Sequence, residues 1–293
     1  MTPRSHDGYR MTGGTGYAFA ALACYGLGDF IYKRATTAGV KPHHFLMGQA
    51  WCFAPAIVLY GWITGTLVLR TSAIWNGLAG LFMFIGLFHF LRGLASGSVS
   101  IAAPIFRLNF VVTAALAIMV LHEPLTRSMP IALALALVAI WLLLGGGERD
   151  RRAELNRGAL IAILIATLSL GAANFFHALG LRHGSTPETA LASQAVVFVT
   201  LATIFVRVTD GAIAPPRAMW KHVAAAAAVL LGAFLFMLYG LTRGPASVLV
   251  PITQMGFVVT AALGIAVLRE PVTARKTVGL AAALGALAVL AVG

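Results

Sequence analysis

Long apolar runs, broken by short polar stretches, occupy nearly the whole chain. A helix needs about 20 apolar residues to cross a bilayer. Ten runs reach that length: 14–36, 43–64, 72–94, 98–121, 127–146, 157–180, 187–207, 219–241, 245–268 and 274–292. None alternates apolar and polar positions with a period of two, so the pattern predicts helices rather than barrel strands. The longest polar break, residues 148–157, falls midway and leaves five runs on either side.

The two sets of five are related. Residues 91–128 align without a gap on 238–275, with about half the positions identical, Pro104 on Pro251 and Glu123 on Glu270. More weakly, Gly26, Asp29, Phe30, Gly39, Pro42 and Gln49 fall on Gly171, Asn174, Phe175, Gly184, Pro187 and Gln194. A duplicated unit with an odd number of spans must insert its second copy upside down. The expected fold is therefore an all-α integral membrane protein. Ten transmembrane helices form two inverted five-helix repeats, 1–147 and 148–293, around a central cavity. That architecture points to a secondary transporter.

Composition agrees with a membrane protein. The chain is 59% hydrophobic and 10% charged, with a mean hydropathy of +0.89, whereas soluble domains carry about 25% charge. The net charge of +12 does not indicate a nucleic-acid partner, because Lys and Arg are scattered between apolar runs and form no basic arm. They fix orientation instead. One side collects Lys33, Arg34, Lys41, Arg92, Arg149, Arg151, Arg152, Arg157, Arg207, Arg217, Lys221, Arg269, Arg275 and Lys276; the other has Arg4, Arg10, Arg70, Arg127, Arg182 and Arg243. The richer side is expected in the cytoplasm, with the central linker inside and both termini outside. Cys24 and Cys52 lie in apolar runs and offer neither a disulfide framework nor a metal spacing. No Walker string occurs, so gradients rather than ATP must drive transport. No cofactor or metal is expected.

Tyr25-Gly26 with Lys33 late in span 1, the Gly and Ser positions leading into spans 4 and 9, and the Glu-Pro-(Leu/Val)-Thr turns at 123–126 and 270–273 together resemble the EamA-type drug/metabolite transporters. The resemblance covers nearly the whole chain. It implies ten helices around a cavity in the bacterial inner membrane. It also implies export of small metabolites, amino acids and aromatic ones included. The partners expected are a small-molecule substrate and membrane lipid, for a monomer or homodimer. Related families carry sugar phosphates and nucleotide sugars, so organic anions are the alternative cargo. Many members keep both termini in the cytoplasm, opposite to the charge count given above. The Glu-Pro turns read as scaffold: Pro124 and Pro271 suit the start of the next helix, Thr126 and Thr273 are placed to cap spans 5 and 10, and Glu123 and Glu270 sit near a helix start.

Several intramembrane polar residues are candidates for the substrate site. Arg107 lies in mid-span 4, one turn after Pro104. An arginine at that depth costs about 2.5–3.5 kcal/mol on insertion scales and should face a cavity or a partner. It could clamp a substrate carboxylate or pair with Asp29, the acidic residue deep in a span. Asp29 could bind an amine, carry a coupling proton or neutralise Arg107 or Lys33. The repeat places Gln254 opposite Arg107 and Asn174 opposite Asp29, so charge on one wall meets amides on the other. Ser100 and Ser247 lie seven residues earlier on the same helix faces. His89, one turn before Arg92, and His177, opposite Tyr32, could titrate in a cavity or simply pack. Gln49 and Gln194 read as helix-to-helix ties. Pro104 and Pro251, with Gly97 and Gly244, are candidate hinges of spans 4 and 9.

Overall fold

A computed structural model describes residues 12–37, 41–96, 99–144, 157–211, 213, 219–268 and 272–292. The side chain of Ser100, the residues Gly97, Glu270 and Pro271, and the linker before Arg157 lie outside the described residues. Twelve helices are described: α1 (Thr12–Thr37), α2 (Pro42–Ile63), α3 (Ala73–Ser96), α4 (Val99–Arg107), α5 (Asn109–Leu121), α6 (Met129–Leu144), α7 (Arg157–Arg182), α8 (Pro187–Asp210), α9 (Trp220–Leu241), α10 (Ala246–Gln254), α11 (Phe257–Leu268) and α12 (Ala274–Val292). Among the described residues, eight stretches are long and apolar enough to cross a membrane, and Met129–Leu143 is a shorter apolar helix. The 26-residue α1 is less apolar, because it carries Asp29, Lys33, Arg34 and several glycines.

The extra helices arise where spans 4 and 9 each break in two. Pro104 and Pro251 lie inside the short helices α4 and α10, each nine residues long. A proline removes one i→i−4 bond and crowds the preceding turn. The chain does not simply kink there, as expected of the hinges. It leaves the helix three to four residues later, tightening into i→i−3 bonds from Leu108 N–H to Ile105 O (3.0 Å) and from Met255 N–H to Ile252 O (3.1 Å). The two repeats settle the break differently. Gly256 follows it in one copy. Asn109 stands at the matching place in the other, and its amide donates to the freed Phe106 carbonyl at 2.8 Å.

Helix ends follow their local chemistry. Thr186 caps α8, its hydroxyl accepting the Thr189 N–H at 3.2 Å, and Gly211 closes that helix in the left-handed region at φ 71°. Thr273 caps α12 by accepting the Lys276 N–H at 3.3 Å. Thr126 does not do the same for α6, which begins three residues later; its hydroxyl meets Ser128 Oγ at 3.2 Å. His122 ends α5 at φ 53° and turns the chain so that Glu123 enters the protein.

Helices from opposite halves pack antiparallel. Tyr17 and Tyr25 of α1 meet Tyr239 and Phe234 of α9. Trp75 of α3 stacks on Phe176 of α7, and Gly93 packs on Ile163. In α2 and α8, His44 meets Asp210 while Gly61 meets Glu188. In α6 and α12, Gly279 lies against Leu143 and Gly285 against Leu135. The broken spans dock on the first helix of the other half. Thr260 Oγ1 donates to Gly26 O at 2.9 Å and Thr113 Oγ1 to Gly171 O at 3.1 Å. Both glycines are needed for closeness: a Cβ on Gly26 would lie 2.4 Å from Gly256 O, and one on Gly171 2.8 Å from Asn109 O. Large apolar side chains such as Trp62, Leu69, Ile74, Trp141 and Val208 are more than half exposed, as a lipid-facing surface requires.

Candidate functional site

The eight helices α1–α4 and α7–α10 surround a cavity of about 340 Å³. Its walls are residues 25–32 of α1, 45–53 of α2, 83–91 of α3 and 226–234 of α9, with the ends of α4 and α10 and the middles of α7 and α8. It therefore occupies the half of the bundle nearer the end that bears Lys41 and Trp220. The opposite end bears Arg182 and Arg243 and holds contacts between the two halves. There Tyr239 donates its hydroxyl to the buried Glu188 carboxylate and lies 6.1 Å from the Tyr17 ring. The Arg243 guanidinium covers the Tyr17 ring at 4.6 Å.

Arg107 is the last residue of α4, where a cation suits the carbonyl end of the helix. The break directs its side chain into the cavity, where it forms an ion pair with Asp29 of α1. The two side chains are 21% and 37% exposed. They are thus reachable from the cavity rather than sealed. Gln254 ends α10 at the equivalent place and also lines the cavity. Asn174 lines it from α7, held by a hydrogen bond from its amide to Asn109 Oδ1 at 3.4 Å. Arg107, Asp29, Gln254 and Asn174 thus share one cavity.

The other candidates lie elsewhere. His177 is fully buried and Ser247 is 0% exposed, and neither lines the cavity. His89 is not on the wall either; its ring lies edge-on to Phe88 at 5.1 Å. Pro104 and Pro251 stand behind the wall. Gln49 and Gln194, read from sequence as ties, do line the cavity, and Gln194 also donates to Met83 Sδ at 3.1 Å. Sequence reasoning missed the aromatic lining. Tyr25, Tyr32, Phe45, Phe90, Phe106 and Phe234 face the same space, but single aromatics inside apolar runs carry no signal that separates them from packing residues.

Glu123 also differs from its expected place. It does not serve the helix that follows it. Its buried carboxylate accepts the N–H groups of Ala246 (3.0 Å) and Ser247 (2.8 Å), the first two residues of α10, and pairs with Arg182 at 2.6 Å. Pro245 precedes that helix and supplies no side-chain cap, so Glu123 caps it from across the repeat boundary.

Two segments, residues 12–145 and 157–292, match the profile of the EamA-like transporter family, and together they span almost the whole chain. The chain belongs to the EamA-like transporter family. Each match corresponds to one repeat, so this EamA protein is a two-repeat membrane transporter of small molecules. No curated protein matches its sequence. Among solved structures, one described only as the crystal structure of a protein superposes with a TM-score of 0.79 at 16% identity, covering 94% of this chain and 95% of that one. At that identity the likeness concerns the fold.

Proposed function

We propose that this EamA protein is a secondary carrier that exports small zwitterions, amino acids with aromatic side chains among them, by alternating access. One observation carries the reading. Among the described residues, the charged groups on the cavity wall are one reachable pair, Arg107 and Asp29, set among aromatic rings and amides. An α-amino acid offers the complementary pair: its carboxylate replaces Asp29 on the guanidinium in a bidentate contact, and its ammonium replaces Arg107 on Asp29. Its side chain then lies on the rings. A cavity of about 340 Å³ is within the range that small-molecule sites occupy, roughly 300–1,000 Å³. Sugar phosphates and nucleotides fit less well, because a dianion needs more positive charge than the one cation and one anion among the described wall residues provide.

The antiparallel packing of α2 with α8 and of α6 with α12 supports a pair of inverted five-span repeats related by an axis in the membrane plane. With the Lys41 end in the cytoplasm, the cavity faces inward and the Tyr17, Tyr239 and Glu188 contacts form the closed outer gate. The short helices α4 and α10, broken just beyond Pro104 and Pro251, then carry Arg107 and Gln254 between the two states. The setting is the bacterial inner membrane, and Asp29 is the group through which a proton gradient would couple.

Flux into liposomes tests the reading. Saturable uptake of radiolabelled phenylalanine or tryptophan is expected, accelerated or unaffected by an imposed pH gradient according to coupling. It should fall at least tenfold in Arg107→Gln. Undiminished uptake by that variant would refute the carboxylate clamp, and ion currents without saturation would refute a carrier. In intact cells, a cysteine at position 6 should be labelled from outside.

A further inference from the structure

The Lys41 end of the bundle holds a second polar cluster that the substrate cavity does not use. Pro42 opens α2, and His43 and His44 follow it in the first turn. Asp210 ends α8 in the other half. Both imidazoles direct the same nitrogen, Nε2, to the same carboxylate oxygen, Asp210 Oδ2, His43 at 2.9 Å and His44 in closer contact. The three possible ligand atoms all lie within 4.8 Å of one another. Lys41 Nζ approaches the other oxygen of Asp210 at 3.5 Å, but its side chain is 64% exposed and free to swing into water. The imidazoles are not. The His44 side chain is 9% exposed, and the His43 ring is wedged edge-on between His44 (4.8 Å) and Phe205 (6.1 Å).

One imidazole would suffice to tie α2 to α8 through Asp210. Two nitrogens and one oxygen converging from rigid helix ends are instead a donor set for a metal ion. Imidazole with carboxylate suits zinc, cobalt and nickel rather than calcium or magnesium, which take oxygen ligands. Three protein ligands leave a fourth position for water. Metal–ligand bonds of about 2.0–2.2 Å put tetrahedral ligand atoms roughly 3.3–3.6 Å apart, so the His43 contact with Asp210 must open by about half an ångström and the closer His44 contact by about twice that. We propose that His43, His44 and Asp210 form a reversible site for a divalent transition-metal ion of the zinc class, and that the bound ion clamps the first repeat to the second at the Lys41 end. His44 Nδ1 is buried without a hydrogen-bond partner among the described residues. Outer hydrogen bonds of that kind are worth 10–100-fold in affinity, so the site is weaker than a permanent structural zinc centre and suits a regulatory ion.

Cobalt serves as the probe, because a four-coordinate Co²⁺ site absorbs visible light. The full chain, purified in detergent without a polyhistidine tag, is titrated with Co²⁺. One saturable equivalent with a tetrahedral absorption band is expected, bleached by added Zn²⁺. The band should vanish in the His43→Gln/His44→Gln double variant, and the apparent affinity should fall at least tenfold in Asp210→Asn. Glutamine keeps a polar side chain of similar size, and the metal-free melting temperature of each variant reports whether it has folded. Saturating Zn²⁺ should raise the melting temperature of the wild type and leave that of the double variant unchanged. The proposal is overturned if the wild type shows no saturable Co²⁺ binding, if the folded double variant binds as the wild type does, or if Zn²⁺ stabilises both equally. None of these readouts depends on what the protein transports.

Discussion

Replacing Glu123 with alanine should destabilise the protein more than replacing Arg107, although Glu123 does not line the cavity. The carboxylate is buried and accepts from the Ala246 and Ser247 N–H groups at 3.0 and 2.8 Å. Both of those residues are themselves buried, so water cannot replace the lost acceptor. A buried donor left without a partner costs about 1–3 kcal/mol, which for two donors gives about 2–6 kcal/mol. The Arg182 contact adds little, since that side chain is 39% exposed and exposed ion pairs contribute about 0–1 kcal/mol. Glutamine keeps one acceptor oxygen and should cost about half as much as alanine. Unfolding of the purified chain in mixed micelles of rising SDS content measures both losses. If Glu123→Ala unfolds within about 0.5 kcal/mol of wild type, the range of an indifferent surface change, the cap is not what holds α10 in place.

Three further outcomes follow from the same geometry. Asp29→Asn should cut phenylalanine uptake at least tenfold while sparing 3-phenylpropionate, which lacks the ammonium; equal losses for both would remove Asp29 from the amine site. Gly171→Val should lower stability by about 1–3 kcal/mol or more, because the new Cβ would fall 2.5 Å from Val112 and 2.8 Å from Asn109 O; an unchanged melting temperature would show that the dock has room to yield. Tyr239→Phe strips a donor from the buried Glu188 carboxylate, costing about 1–3 kcal/mol, and should increase labelling of a cysteine placed at position 17 from the Arg182 side.

Most of the helical layout could be read from the chain, because a bilayer demands runs too long to be mistaken. The breaks at Leu108 and at Met255–Gly256 could not. Polar residues do stand there, Arg107 and Asn109 in one copy and Thr253 and Gln254 in the other, but in a continuous span they read as site residues rather than as a break, and the prolines that loosen the turn lie several residues earlier. The shared cavity of Arg107, Asp29, Gln254 and Asn174 was visible through the repeat, since aligned positions in related halves meet near a common axis. Glu123 was misplaced because its partners are 123 and 124 residues away, and nothing local distinguishes a carboxylate that serves its own helix from one that serves another. The same distance hid the histidine cluster, where His43 and Asp210 are separated by 167 positions. His89 and His177 are lone polar residues in apolar spans, yet neither lies on the cavity wall.

The paired docks of the broken spans bear on where such a chain came from. Thr113 on Gly171 and Thr260 on Gly26 are one contact made twice, each time between copies rather than within one. The antiparallel partners α2 with α8 and α6 with α12 are likewise each helix meeting its own counterpart. Self-complementary surfaces of that kind are what a two-fold homodimer uses. A half-length ancestor inserting in both orientations could have satisfied every one of them before any fusion, with one gene providing both subunits. The arginine and aspartate of one half against the glutamine and asparagine of the other break that symmetry at the cavity wall.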